Sequence, residues 1–502
     1  MRFTCECIIM YEKSLRRYLV IQEKYIALKQ QIEKWIKDHQ NEFVTELQGL
    51  SRIPSVSRQD LAEENAPFGP DCRKVLDYAL ERGQHYGFAT EDLDGCAGTI
   101  AWGDAENAIG IIAHLDVVPV GEGWVYPTFG ATYLPEKDCL IGRGVSDNKS
   151  AAVMGMFAMR MLREFNWPMK HGIKLFCGMS EETGMQDMQM LLDKGYKFPK
   201  LSLVPDAAFP VNYGQKGSID AEIVADCEGN LVKFDSGSVR NVVPDLAECV
   251  VAMEEKAVKE ALAKLPEEDT CMLTVNACEE GTYIAARGTS GHAARPDASD
   301  SAIKRLSRAL TLADILEGSC KNAIAQLADL TADGFGRSEG VEYADEISGP
   351  LTLVYGVAHL KDGKLTVSVD SRCSITIDQQ KLEQDLKDNW AKRGYQHENF
   401  EMTRPFYIPK DDSRVQALQE IYKDITGRED EPYTMGGGTY SRVVPNAISF
   451  GPGIPGTVRD LSFLPEGHGG AHGKDEVVFM ESVHTCCMIY TLALAALDEI
   501  AE

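Results

Sequence analysis

Basic residues are scarce in this chain. Lys and Arg number 51 against 77 Asp and Glu, which leaves a formal net charge of -26. No stretch concentrates enough cations to release counterions from phosphate, so nucleic acid and anionic membrane surfaces are excluded as partners. The acidic surplus serves solubility. The 14 cysteines form neither the C-x-x-C pairs of a structural zinc module nor the dense framework of a short secreted chain. Cys5, Cys7 and the neighbours Cys486 and Cys487 therefore read as free thiols, which suits a reducing cytosol. Residues 1–28 contain no long apolar run, small-residue cleavage site or membrane-length segment, so no export signal is expected. The expected location is cytoplasmic.

What is present is enough apolar material for more than one core, 502 residues at 44% hydrophobic content, so two domains are expected. Residues 12–50 alternate charged and apolar positions at helical spacing, with Leu28, Ile32 and Ile36 on one stripe, predicting one or two amphipathic helices. Residues 1–30 are expected to be an N-terminal extension, helical or frayed. From there the pattern is that of an α/β layer. Residues 108–113 form a short β-branched run that ends at His114, residues 175–179 lead to Ser180-Glu181-Glu182, and residues 201–204 lead to Asp206. Three apolar strands thus end at acidic or histidine residues, and the carboxyl ends of such strands are where α/β sheets hold ligands. Residues 148–163 read as the helix after Asp147.

Over residues 213–400 the character shifts to alternating strand-like segments and helices with no metal-like cluster. This predicts an inserted α+β domain, with residues 31–212 and 401–502 forming the domain that carries the metal-like residues. The fold class expected is α/β, a central mixed sheet flanked by helices and interrupted by the insert.

Six residues, His114, Asp147, Glu181, Glu182, Asp206 and His472, look like a dinuclear metal site drawn from both ends of the chain. Carboxylates and imidazoles suit zinc, manganese or cobalt, and no thiolate set accompanies them. Asp116, two residues past His114, is placed to fix the tautomer of that imidazole. The adjacent Glu181 and Glu182 suggest a division of labour, one ligating while the other handles protons.

In order along the chain stand His114-Leu115-Asp116-Val117-Val118-Pro119, Gly142-Arg143-Gly144-Val145-Ser146-Asp147-Asn148-Lys149, Ser180-Glu181-Glu182-Thr183-Gly184 and Pro205-Asp206-Ala207. This series resembles the dinuclear zinc peptidase and deacylase family of aminoacylases, carnosinases and carboxypeptidases. Its nearest likeness there is to the PepV-type dipeptidases, through Asp206 with Ala208-Phe209-Pro210-Val211 and through the long insert. The resemblance implies that Asp147 bridges two divalent metal ions, with Glu182 and His472 completing one site and His114 and Asp206 the other. It implies Glu181 as general base, and His292, in Gly288-Thr289-Ser290-Gly291-His292-Ala293, as the lid histidine that stabilises the oxyanion. Asn241 and Arg372 resemble lid residues that grip substrate, and Gly436, Gly437, Gly438 and Thr439 resemble a segment near the substrate carboxylate. It further implies a cis peptide after Asp147 and a monomer whose enlarged lid imitates a dimer partner.

Two departures stand out: Asn148 where the family commonly has an acid, and Ser150 where it has glycine. His468 lies four residues before His472, but the surrounding glycines argue against a helical ligand pair. The expected function is metal-dependent hydrolysis of dipeptides or short peptides by a metal-activated water. The alternatives are an N-acyl amino acid deacylase and a catalytically silent peptide-binding paralogue.

Overall fold

The computed structural model describes residues 3–501, with side chains from Ile26 onward. Cys5 and Cys7 lie outside the described side chains. The chain divides into two compact units, the first comprising Met1–Tyr213, Ile408–Tyr433 and Thr439–Glu502, the second Gly214–Tyr407 with Thr434–Gly438.

The first unit opens with one continuous helix, Phe3–Ser51, where the charge pattern allowed one or two. Its predicted stripe is the inner face, with Leu28, Ile32 and Ile36 all buried. A mixed sheet follows, with strands in the spatial order Ala89–Leu93, Ala97–Trp102, Gly172–Gly178, Ala108–His114, Ser202–Val204, Ala447–Phe450. The first three of these pair antiparallel. The last four run parallel, Gly172–Gly178 with Ala108–His114, then Ser202–Val204, then Ala447–Phe450. Parallel strands buried on both faces read as unbroken apolar runs, as Ile109, Ile111, Ile112 and Ala113 do.

Register decides what the sheet presents at its carboxyl edge. His114 is level with Gly178, so the turn beginning at Ser180 starts where His114 ends. The strand Ser202–Val204 stops two residues before Asp206 at the same edge. The helix Lys149–Glu164 packs on Ala108–His114 and on the C-terminal helix Met480–Ile500, and it is buried along nearly its whole length. Ala151, Ala152, Ala158 and Gly155 keep it thin enough to lie between them. Met480–Ile500 is long and apolar enough to cross a membrane, but 67% of its apolar window is buried inside the protein, as in a core helix.

The second unit, inserted between the halves of the first, is built on an eight-stranded sheet. Its spatial order is Leu273–Cys278, Gly281–Arg287, Leu246–Val251, Leu231–Ser236, Thr352–Lys361, Lys364–Cys373, Gly217–Asp226, Gln396–Thr403, antiparallel throughout. Strand Gly217–Asp226 buries alternate residues, the signature of a sheet with one covered face. Helices Ala302–Ala313, Ser319–Leu330 and Gln379–Lys392 supply Ile303, Leu306, Leu327, Leu386 and Trp390 to that core. The architecture is the expected one: a mixed α/β sheet with helices, interrupted by an α+β insert.

Candidate metal centre

All six predicted donor residues converge at the carboxyl edge of the first unit's sheet. His114, the last residue of its strand, is 1% exposed, and its Nε2 lies 3.1 Å from Asp147 Oδ1 and 3.7 Å from Asp206 Oδ1. His472 Nε2 lies 3.1 Å from the other oxygen, Asp147 Oδ2, and 3.0 Å from Glu182 Oε1. Asp147 therefore offers one carboxylate oxygen to each histidine. Donor atoms of His114, Glu181 and Asp206 lie within 4.8 Å of one another, as do those of His114, Asp147 and Glu182. The peptide between Asp147 and Asn148 is cis.

Backbone hydrogen bonds hold these side chains in place. His114 Nδ1 is 3.0 Å from the Asp116 carbonyl oxygen and 3.3 Å from Asp116 Oδ1, so its proton sits there and Nε2 faces the cluster. The main work of the Asp116 carboxylate is different from tautomer control alone: its two oxygens accept the backbone N-H groups of Glu181 and Glu182, each at 3.1 Å. The fully buried Asp187 secures the same turn from below, accepting from Met179 N at 2.7 Å, Ser180 N at 3.1 Å and the Tyr440 hydroxyl at 2.5 Å. Gly178 makes this possible, since a Cβ there would stand 2.0 Å from the Tyr440 hydroxyl oxygen. Asn148 donates to the Pro205 carbonyl at 2.6 Å and to Asp206 Oδ1 at 3.1 Å, bonds that the acid common at this position could not donate. Ser150 turns its hydroxyl back to the Ser146 carbonyl at 3.1 Å.

Electrostatics show what the cluster is suited to hold. Burial, reinforced by the negative charge of Asp206, pushes the Glu181 carboxyl well above its usual range. Burial alone would lower the His114 imidazole, but Asp206, Asp116 and Asp147 together raise it well above its usual value. Hydrogen bonds to Asp147 and Glu182 raise His472 to about 10. Burial would raise Asp147, yet the bonds from His114 and His472 outweigh it and hold the carboxyl low. Four carboxylates and two imidazoles thus recruit positive charge wherever it is available. Hard oxygen donors with imidazole nitrogens are the ligand set of zinc and similar divalent ions, and the residues fit such ions.

Other predicted residues fall elsewhere. His468 Nδ1 pairs with Asp475 Oδ2 at 2.6 Å. Thr439 is buried, with its hydroxyl 2.7 Å from Ser449 Oγ. Within the second unit, four predicted residues gather. Val242, next to Asn241, pairs with His292, and Ala293 N donates to the Asn241 carbonyl at 2.9 Å. His292 is lowered by partial burial and then by the positive charge of Arg372. Arg372 pairs with Asp370 at 2.7 Å and donates to the Gly436 carbonyl at 3.4 Å. Gly437 is exposed and Gly438 half-buried beside it.

Sequence reasoning passed over Asp187 and Glu476, and took Tyr440 only as the end of the 436–440 loop. The only available signal was position: each is a polar residue in an otherwise apolar stretch, or lies close to a quoted motif.

The edge of the mixed sheet and the loops beside it gather two imidazoles and four carboxylates, a donor set that fits divalent metal ions. A family model described as Peptidase family M20/M25/M40 matches residues 110–496, and the chain belongs to that family of metallopeptidases. A Bacillus subtilis (strain 168) protein named "Putative dipeptidase YtjP" is 29% identical over 465 residues, covering 90% of this chain and 96% of its own length. A Staphylococcus epidermidis protein named "Putative dipeptidase" is 27% identical over 478 residues, covering 92% of this chain and 98% of its own. Among solved structures, the Saccharomyces cerevisiae di-peptidase Dug1p superposes with a TM-score of 0.57 at 13% identity, covering 94% of this chain and 99% of its own. Human carnosine dipeptidase 1 superposes with a TM-score of 0.54 at 15% identity, covering 94% and 100%. Both share its fold.

Proposed function

We propose that this metallopeptidase is a dipeptidase of the PepV type that releases the N-terminal residue of dipeptides and short peptides with two divalent metal ions. The observation that carries the reading is the placement of Asp147, whose two oxygens face His114 and His472 separately. Asp147, Glu182 and His472 would hold one ion, and Asp147, His114 and Asp206 the other. Zinc is the expected ion, with manganese and cobalt allowed by the same donors. Bound there, the ions supply a water acidic enough to ionise near neutral pH and charge that favours a developing oxyanion.

Glu181 takes the proton of that water and returns it to the leaving amine. Its burial and its acidic neighbours raise its proton affinity, which favours the first half of the step, taking the proton. Asp116 and Asp187 hold the backbone of the turn that carries Glu181 and Glu182, one serving as base and the other as ligand. For the second unit we propose the roles that the family resemblance implies. His292 stabilises the oxyanion, and Asn241, Arg372 and the 436–439 loop bind substrate, with the inserted unit acting as a lid on a monomer. The described cysteines are all free, in keeping with a cytoplasmic, reducing environment.

The test is hydrolysis of a dipeptide panel and its N-acetylated counterparts by metal-stripped protein, before and after zinc, manganese or cobalt is restored. Metal-restored cleavage confined to free-amine dipeptides is expected. Cleavage confined to acylated substrates would make the protein a deacylase, and none at all with metal bound would leave a binding role.

A further inference from the structure

Glu476 and Arg143 are charged, fully buried and outside the proposed ligand set. Glu476 Oε1 accepts the backbone N-H of Ser146 at 2.8 Å and of Asp147 at 2.9 Å. Its Oε2 accepts Gly144 N at 3.2 Å and Arg143 Nη1 at 2.7 Å. Arg143 then reaches across with Nη2 to the carbonyl oxygen of His472 at 3.2 Å, while its guanidinium lies over the Trp124 ring, 5.2 Å from the centroid. One ion pair is thus tied to the backbone of Asp147 and to that of His472, segments brought together from opposite ends of the chain.

A buried ion pair is poor value for stability, because the desolvation of both charges offsets their attraction. What it supplies is a fixed geometry. His472 needs one: its φ is 60°, in the left-handed region that few non-glycine residues occupy. The neighbouring glycines 469, 470 and 473 leave the loop free to choose other conformations, and the Arg143 bond to the His472 carbonyl selects this one.

The other half of the centre has different supports. His114 is held by the Asp116 carbonyl, and Asp206 by the Asn148 side chain. Resting on the two-metal reading above, we infer that the Arg143 and Glu476 pair is a positioning device that sets His472 against Asp147. It thereby controls metal affinity at the Asp147, Glu182 and His472 half-site more than at the His114 and Asp206 half-site.

The experiment is a cobalt titration of metal-stripped full-length protein, followed by visible absorbance and equilibrium dialysis, for wild type, Arg143→Lys and Glu476→Gln. Lysine keeps the charge against Glu476 but loses the second nitrogen that reaches His472. Wild type is expected to take up two equivalents. In Arg143→Lys one equivalent should bind about 10–100-fold more weakly while the other is unchanged, with the metal-free melting temperature close to wild type. Glu476→Gln, which turns an acceptor oxygen into a donor and also loosens the backbone of the shared Asp147, should weaken both equivalents, and the same one most. If it fails to fold, Arg143→Lys still decides the matter. A folded Arg143→Lys protein with two wild-type affinities, or with both weakened alike, overturns the inference alone. Uptake of fewer than two equivalents by wild type overturns the two-metal reading and this inference with it.

Discussion

His472 Nε2 lies 3.0 Å from Glu182 Oε1, a pairing made across 290 residues of sequence. The pair closes half of the proposed centre, with the same histidine nitrogen 3.1 Å from Asp147 Oδ2. His472→Ala is therefore expected to bind one metal equivalent instead of two and to lose dipeptide hydrolysis to background. Metal analysis after dialysis checks this, and two retained equivalents would remove His472 from the ligand set.

Glu181 differs from its neighbour in having no assigned ligand role. Glu181→Gln keeps the volume and an acceptor oxygen but cannot take a proton, so kcat should fall by about 10²–10⁴-fold with both metals retained. Steady-state kinetics alongside metal content makes the comparison. Turnover within a few fold of wild type would show that Glu181 is not the base.

Tyr440 acts on the same turn through Asp187. Burial raises the Asp187 carboxyl to about 6, so it depends on the donors that remain to it. Tyr440→Phe removes one of four, the others being the backbone N-H groups of Met179, Ser180 and Met188, and a buried bond to a carboxyl is worth about 1–3 kcal/mol. Unfolding in urea should register a loss of that size, and kcat should drop with KM little changed because the Glu181 turn loosens. A variant with wild-type stability and kcat would refute the supporting role.

Glu339, in the second unit, gives a pH dependence free of metal chemistry. Burial raises its carboxyl from 4.5 to about 7, against the lowering effect of the hydrogen bond from Tyr355 at 2.5 Å. Between those values the unfolded chain releases the proton while the folded chain keeps it. This contribution to stability therefore falls as pH rises from about 4.5 to about 7 and stays low above. The whole effect is on the order of 3 kcal/mol, at about 1.4 kcal/mol per pKa unit. Glu339→Gln keeps the acceptor for Tyr355 and should be more stable than wild type at pH 8 but not at pH 4.5, read by fluorescence of Trp390, whose indole N-H donates to Tyr355 at 3.2 Å. Equal pH profiles for the two proteins would be the contrary result.

The sequence by itself determined the parts whose signal is local. Apolar runs ending at His114, Glu181 and Asp206 marked three strands and the edge they share, because a buried strand must be continuously apolar and its polar residues can begin only where it leaves the core. His114, Glu181, Glu182 and Asp206 were legible at those strand ends, and Asp147 and His472 through the order of the motifs along the chain. Periodicity likewise announced the helix stripe of Leu28, Ile32 and Ile36.

Only the tertiary structure decided which atoms meet. Nothing in the residues 142–149 or 468–476 says that Glu476 holds the Asp147 backbone, or that Arg143 holds the carbonyl of His472. Nor does Asp116 announce that its carboxylate would be used on the Glu181 and Glu182 amides. These are side-chain bonds to backbone groups, and every residue carries the same backbone, so the acceptor's identity leaves no mark in the sequence. The proposed ligands are written in residue type; the geometry that gathers them depends on contacts between segments hundreds of residues apart.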